Sequence, residues 1–358
     1  MERVIVIGGG IHGVTAAIAF AKKGYTVSII ERNASILAGT SGATHNRAHL
    51  GYHYPRSIET TVECIEGLND FKERYPDALH YPSEAYYFIE KHTSKTSTDD
   101  FVKFCKEVDI PYTMQWPDES LLNKNRIDSS FSVPEPNFNI FKLKDILLAE
   151  CTSLGIVCHF ETEFMSGCKS SSNEFDIEVA NHDKSLKLHA DIVINATYAY
   201  TNNILVKFGI TEGLTKYRLQ RTEVVAVETK TELPALTVMD GPFVTIQPNA
   251  GLDNVVLVYD VVNSVLRETE SYTIDEEPEL SSNWEKMVQH GLGYYPFMKE
   301  LKFLHSLWGT RPIPVVETAD GRSTKIVEHT SMPGLYSIQE GKFISATLVA
   351  DKLIGKVR

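Results

Sequence analysis

The run Gly8-Gly9-Gly10-Ile11-His12-Gly13 carries glycines at the G-x-G-x-x-G spacing of a loop that cradles a pyrophosphate. The first glycine allows a tight turn out of a strand, the second lets backbone approach the phosphates, and the third permits close helix–strand packing. The helix opening at Ile11 and His12 points its free N–H groups at the anion. Glu31 lies 18 residues beyond Gly13, where a carboxylate can accept from ribose hydroxyls. Its charge disfavours a 2′-phosphate, an effect blunted by the neighbouring Arg32. A ligand-free glycine turn would not need the rest of the context. That context is a hydrophobic strand before the loop, Ala16, Ala17 and Ala19 in the helix after it, then Gly24 and a second strand. The motif makes a dinucleotide site and leaves open which dinucleotide.

A second chemical stretch is residues 40–57, TSGATHNRAHLGYHYPRS, the densest polar–aromatic run in the chain. His45, His49 and His53 are spaced by four, which on a helix would align metal ligands. Gly51 and Pro55 argue against a sustained helix and no carboxylate lies within the run, so no metal is expected. His49 reads equally well as a catalytic base or as a hydrogen-bonded, partly buried side chain; for His45 and His53 the second reading leads. Tyr52 and Tyr54 are packing aromatics by default. Arg311, in the otherwise apolar run Trp308–Pro314, is costly to bury without an anion, and its fork matches a carboxylate. A structural ion pair is the competing reading. His49, Tyr52, His53 and Arg311 are the catalytic candidates.

The elements that must position these residues follow from periodicity. Strands are expected at 3–7 and 26–31 around a helix at 11–23, and a helix at 57–75 with Val62, Ile65, Leu68 and Phe71 on one side. Segment 81–141 is mixed, with a strand at Tyr86–Ile89 and a helix at 99–107. Leu143–Leu154 reads as a helix stopped by Gly155, then a strand at Ile156–Phe160. A hairpin is expected from Phe175–Ala180 and Leu186–His189 around Asn181–Lys184, then the apolar strand Asp191–Ala196. Residues 216–262 read entirely as strands, followed by a helix at 281–290. The chain closes as strand Leu335–Ile338, a turn at Gly341 and helix Ile344–Ile354. Parallel-type strands at the start, middle and end with antiparallel-type stretches between predict an α/β fold. In it a Rossmann-like domain is built from discontinuous segments, interleaved with an α+β domain holding a mainly antiparallel sheet. The expected division is 1–80, 141–204 and 301–358 for nucleotide binding, and 81–140 and 205–300 for substrate.

At 358 residues and 42% hydrophobic the chain can bury a substantial core. A net charge of −12 without a basic stripe argues against nucleic acid as a partner. Five cysteines with no CxxC pair read as reduced thiols. The first strand starts too close to Met1 for a signal peptide, and no apolar run approaches the roughly 20 residues of a membrane helix. A soluble, cytoplasmic protein acting on a small molecule is therefore expected.

The opening run resembles the FAD-binding signature of the D-amino-acid oxidase and glycerol-3-phosphate dehydrogenase superfamily. Asp191-Ile192-Val193-Ile194-Asn195-Ala196-Thr197 is similar to that family's second cofactor strand. Gly309-Thr310-Arg311-Pro312 and Gly334–Lys342 resemble its flavin-proximal elements. The pattern departs at Tyr198, where Gly is common, and at Glu340, where a second Gly usually precedes Gly341-Lys342. His49 with Gly51 two residues on most resembles the glycerol-3-phosphate and L-2-hydroxyglutarate dehydrogenase branches. The resemblance implies that 40–57 runs along the isoalloxazine, with Ser41, Gly42 and Ala43 allowing close approach. It further implies cofactor contacts from Gly8, Gly10, Ile11, His12, Gly13, Glu31, Arg32, Ser41, Gly42, His45, Asn46, Ala196, Thr197, Arg311, Gly341, Lys342 and Phe343. A helix N-terminus and Lys342 would stabilise the negative charge of a reduced flavin.

The implied activity is oxidation of a CH–OH group by hydride transfer to flavin N5, on a small and, if Arg311 binds it, anionic substrate. A His base mildly favours CH–OH over CH–NH. An amine or D-amino-acid oxidase on the same fold, and a flavin-binding scaffold or sensor without catalysis, are the alternatives. The electron acceptor is not legible.

Overall fold

Val4, Val6 and their neighbours give the strand β1 (Arg3–Ile7) apolar side chains on both faces, which suits a central strand covered on both sides. In the computed structural model, which describes residues 1–182, 184–275, 280–316, 324–339 and 341–357, β1 sits inside a six-stranded sheet. It pairs in parallel with β2 (Thr26–Ile30) and with Ile192–Asn195. Val157–His159 extends the sheet beyond β2 in parallel, and Leu335–Gln339 extends it beyond Ile192–Asn195. Lys325–Glu328 closes that edge antiparallel. Because Ile7 stands opposite both Ile30 and Asn195, the chain leaves three neighbouring strands at one edge, at Gly8, Glu31 and Ala196. In an open parallel sheet that carboxyl edge is where ligands bind.

The helix α1 (Ile11–Lys22) packs on this sheet through Val14, Ala16, Ala17 and Phe20, each fully buried. The alanines let helix and strand backbones come close, while burial of Phe20 alone contributes about 1.5–3 kcal/mol. The helix α2 (Ile58–Arg74) buries Thr60, Thr61, Cys64, Gly67, Leu68 and Phe71. This differs from the expected face: Val62 is exposed, since Gly67 must lie against the Ile344 and Ser345 backbone and so sets the rotation.

The larger sheet has nine strands and is antiparallel except where Ala235–Val238 pairs with Ala85–Glu90. Its longest pairing joins Tyr217–Glu228 to Lys302–Pro314. Residues 302–314, expected in the nucleotide-binding layer, thus belong to this sheet, because the long strand at 217–228 offers a partner along its whole length. The expected hairpin is present as Phe175–Asn181 and Lys184–Ala190, with Glu163–Lys169 as an unforeseen third strand. Residue Asp183 in its turn, and Glu340, lie outside the described residues. A short helix at Thr201–Lys207 is also not legible in the sequence. No helix among the described residues is long and apolar enough to cross a membrane.

Candidate active site

The glycine loop sits where the carboxyl edge opens into a cavity of about 740 Å³. Gly8 has φ +105°, and a Cβ there would come within 2.7 Å of the Ala196 carbonyl oxygen. Gly13 lies under the loop rather than in the cavity: a Cβ would meet the Gly8 carbonyl oxygen at 1.9 Å. Above them Gly10 opens α1 with no acidic residue in the first turn, so the positive helix end lines the cavity beside Ser41 and the Glu31 carboxylate. The Ile11 amide donates to Ser41 Oγ (3.1 Å), fixing the start of the 40–57 stretch against the loop. Burial drives the His12 imidazole down to about 4, with the Lys342 backbone and Glu63 pulling weakly the other way. His12 therefore lines the cavity as a neutral ring.

At the next strand end the Glu31 carboxylate accepts from the Gly9 amide (2.6 Å) and from the Asn33 amide and side chain (2.8 and 2.6 Å). Arg32 lies over the Tyr200 ring, 4.0 Å from its centroid. Ala196 and Thr197 line the cavity as expected. The following Tyr198, at the position noted for usually being glycine, has φ +54°, the left-handed backbone that favours glycine. Sequence reasoning missed Asn33, Thr44, Thr162–Phe164 and Tyr198–Tyr200, all cavity-lining. Only Asn33 carried a signal, being two residues beyond Glu31. It also missed Lys207, whose amine bonds to Glu163 Oε1 and the Phe164 carbonyl at 2.8 and 2.7 Å.

At the other end, Gly341 (φ +113°) and Phe343 line the cavity. A Cβ at Gly341 would meet His12 Nε2 at 2.8 Å, so the C-terminal turn closes directly on the glycine loop. Lys342 points past the cavity, 3.5 Å from Glu63 Oε2 and over the Tyr54 ring.

Beyond Thr44 the 40–57 stretch leaves the cavity and enters protein. Gly42 is a tight-turn position and not a lining residue; a Cβ there would lie 2.4 Å from the Leu37 carbonyl oxygen. Asn46 is buried and donates to Asn249 Oδ1 (3.3 Å). Arg47 is the unforeseen centre of this region. Its side chain is 1% exposed and lies 3.5 Å from Glu135 Oε2, whose side chain is 4% exposed. Arg47 also donates to Tyr87 Oη (3.1 Å) and Thr237 Oγ1 (2.5 Å), and Tyr87 donates to Glu135 (2.5 Å). This buried pair ties the stretch to the nine-stranded sheet.

Around it the three histidines stand in a row, His45–His49 at 6.1 Å and His49–His53 at 6.0 Å between ring centroids. Desolvation first, then the Arg47 charge, holds all three well below the usual imidazole range, His53 at about 4. His45 stacks on Tyr259 and also feels the charge of Arg311. Arg311 is half-buried, and its Nε and Nη2 donate to Gln220 Oε1 (3.0 and 2.5 Å). Among the described residues no carboxylate pairs with it. Tyr52 is a correction. It is fully buried in an aromatic cluster, and its hydroxyl donates to the Pro111 carbonyl, so it does not reach the cavity. His45, Asn46, His49, His53, Arg311 and Lys342 likewise lie outside the cavity wall itself. Among the described residues no three His, Cys, Asp or Glu side chains gather as metal ligands.

Fold and site together define a dinucleotide-binding α/β protein with a second, mainly antiparallel sheet. More narrowly, residues 3–351 match the DAO family of FAD dependent oxidoreductases, and the chain belongs to that family. It is similar to the FAD-dependent monooxygenase kojA of Aspergillus flavus, 38% identical over 29% of this chain and 26% of that protein. It is also similar to the FAD-dependent monooxygenase FPY4 of Fusarium mangiferae, 22% identical over 68% of this chain and 60% of that one. The chain thus spans about a quarter of the first relative's length and 60% of the second's. Its fold matches glycine oxidase from Geobacillus kaustophilus (TM-score 0.74, 16% identity, 99% and 94% of the two chains). L-proline dehydrogenase from P. horikoshii gives 0.73 at 18% identity, covering 99% and 93%. The FAD-bound L-α-glycerophosphate oxidase of Mycoplasma pneumoniae gives 0.75 at 16% identity, covering 99% and 94%.

The chain thus belongs to a family of FAD-dependent oxidoreductases, and its residues fit that cofactor. The glycine loop, the start of α1, Glu31 at the neighbouring strand end and the Gly341 turn line one continuous space from the Glu31 carboxylate to the C-terminal turn.

Proposed function

We propose that the protein oxidises a CH–OH group of a small anionic substrate, a hydroxy acid or a sugar or polyol derivative, with Arg311 as the anion-binding residue. The observation that carries this is Arg311 itself. Its guanidinium is oriented by Gln220, carries no paired carboxylate among the described residues, and lies close enough to act on His45. A half-buried Arg without an anion is costly, and its fork suits a substrate carboxylate or phosphate. When bound, the flavin supplies the hydride acceptor. The chain's part is to hold the substrate anion, keep His49 neutral through burial and the Arg47 charge, and let that ring take the hydroxyl proton. In this reading His12, Glu31, Ser41 and the glycine loop hold the cofactor on the six-stranded sheet, while the nine-stranded sheet faces the substrate.

Arg311→Ala should raise KM about 30- to 100-fold, the loss of a charge-assisted contact, with kcat falling less. An unchanged KM would remove Arg311 from the reading. The second reading is amino-acid oxidation, favoured because glycine oxidase and proline dehydrogenase share the fold. Ammonium or imine release during turnover distinguishes it.

A further inference from the structure

We propose that His49, His53 and Asp240 form a proton exit from the reacting end of the site to the protein surface; this rests on His49 as the base in the reading above. The rings of His49 and His53 are 6.0 Å apart between centroids and tilted by 38°, with no hydrogen bond between their Nδ1 atoms, so a proton crosses between them through a bridging water. The Nδ1 atoms of both are buried without a hydrogen-bond partner. Buried nitrogens left unsatisfied are uncommon and call for a role.

The row has a defined outer end. The Asp240 carboxylate acts on His53 and is itself held by Arg56 (Nη2 to Oδ1, 2.9 Å) and by the Thr96 hydroxyl. Its side chain is only 7% exposed, but that of Arg56 is 41% exposed, so the pair marks where the row meets solvent. The groups facing the two rings are His45, Arg47 and Lys342 on the His49 side, Arg47 and Asp240 on the His53 side, with the Tyr54 ring against both. Burial first, and then the cationic Arg47, keep the row neutral at rest and make it hold a proton only in passage. Asp240 is the anion that acts on His53, placed at the exit, where it draws the proton outward.

The balance is simple. Oxidation converts CH–OH to C=O, the carbon-bound hydrogen leaving with both electrons to the flavin and the hydroxyl proton leaving to His49. His49 loses a proton as His53 gains one, and water beside Asp240 and Arg56 receives it. One proton crosses per substrate and the row returns to its starting state.

The test uses flavin-loaded protein in two arms. In the first, substrate-free, ring-labelled histidines are titrated by NMR. His53→Gln should raise the His49 midpoint by removing a neighbouring charge, and Asp240→Asn should lower the His53 midpoint. In the second, weakly buffered enzyme with an indicator dye is mixed anaerobically with 2-hydroxyglutarate and glycerol 3-phosphate. Wild type should release its proton in step with flavin bleaching. In His53→Gln, release should lag about 100-fold, the lower end of a lost proton-transfer group, and added imidazole should restore it. Asp240→Asn, which keeps every ring, should lag less. Release in step with bleaching in His53→Gln, or a His49 midpoint unmoved by that substitution, overturns the exit. Absence of bleaching by either substrate counts against the alcohol reading instead, and the titration still judges the row.

Discussion

The glycine-loop cavity and the histidine row differ in what they are made of. The cavity is built mainly from backbone: glycines that clear space, strand ends in register and a helix N-terminus. The row is built from side chains, buried charge on Arg47 and Glu135 and neutral imidazoles around them. A backbone site tolerates many neighbours as long as no Cβ intrudes. A buried-charge site depends on each partner, because an ion left alone in the interior costs several kcal/mol. Cofactor binding and substrate chemistry should therefore break in different ways.

The largest effect is expected in the cavity. Gly13→Val places a side chain against the Gly8 carbonyl, 1.9 Å from an added Cβ, and should abolish flavin retention; purified protein without a flavin spectrum is the check. In the row, Arg47→Met strands Glu135 and should cost about 3–5 kcal/mol in denaturant unfolding, with Glu135→Gln in the same chain recovering part. That recovery separates a pair from two independent contacts.

A third difference is in pH. His12 and His53 fold with values near 4, below their unfolded 6.5, so the unfolded chain binds more protons between those limits. Stability should be intact above about 6.5 and fall as pH drops toward 4, by about 1.4 kcal/mol per unit for each histidine. His45 and His49 act in the same direction. Replacing His53 by Gln should flatten the profile, measured by unfolding across pH. The smallest effect is Glu31→Gln, which keeps the shape but weakens acceptance from Gly9 and Asn33; flavin affinity should drop about five- to tenfold in a fluorescence titration.

The sequence discloses these two regions unequally for the same reason. The loop, Glu31, Ala196 and Gly341 are legible because each is a local rule, a glycine or carboxylate at a fixed distance from a strand. Arg47 is not, since its meaning lies in Glu135, Tyr87 and Thr237, each 40 or more residues away. Tyr52 packs as the aromatic its default reading expects, and only its place among the catalytic candidates fails: its local company is polar, but its hydroxyl is taken by Pro111. The strand 302–314 falls in the other sheet because pairing with Tyr217–Glu228 is a long-range choice that alternation alone does not specify.

The most direct test is the visible spectrum of the purified, flavin-loaded protein under anaerobic mixing with paired hydroxy and amino acids of equal carbon skeleton. Bleaching by a hydroxy member and none by its amino partner is the expected result, with the Arg311→Ala variant needing far higher concentrations. Bleaching by the amino acid alone, with ammonium released, would contradict it.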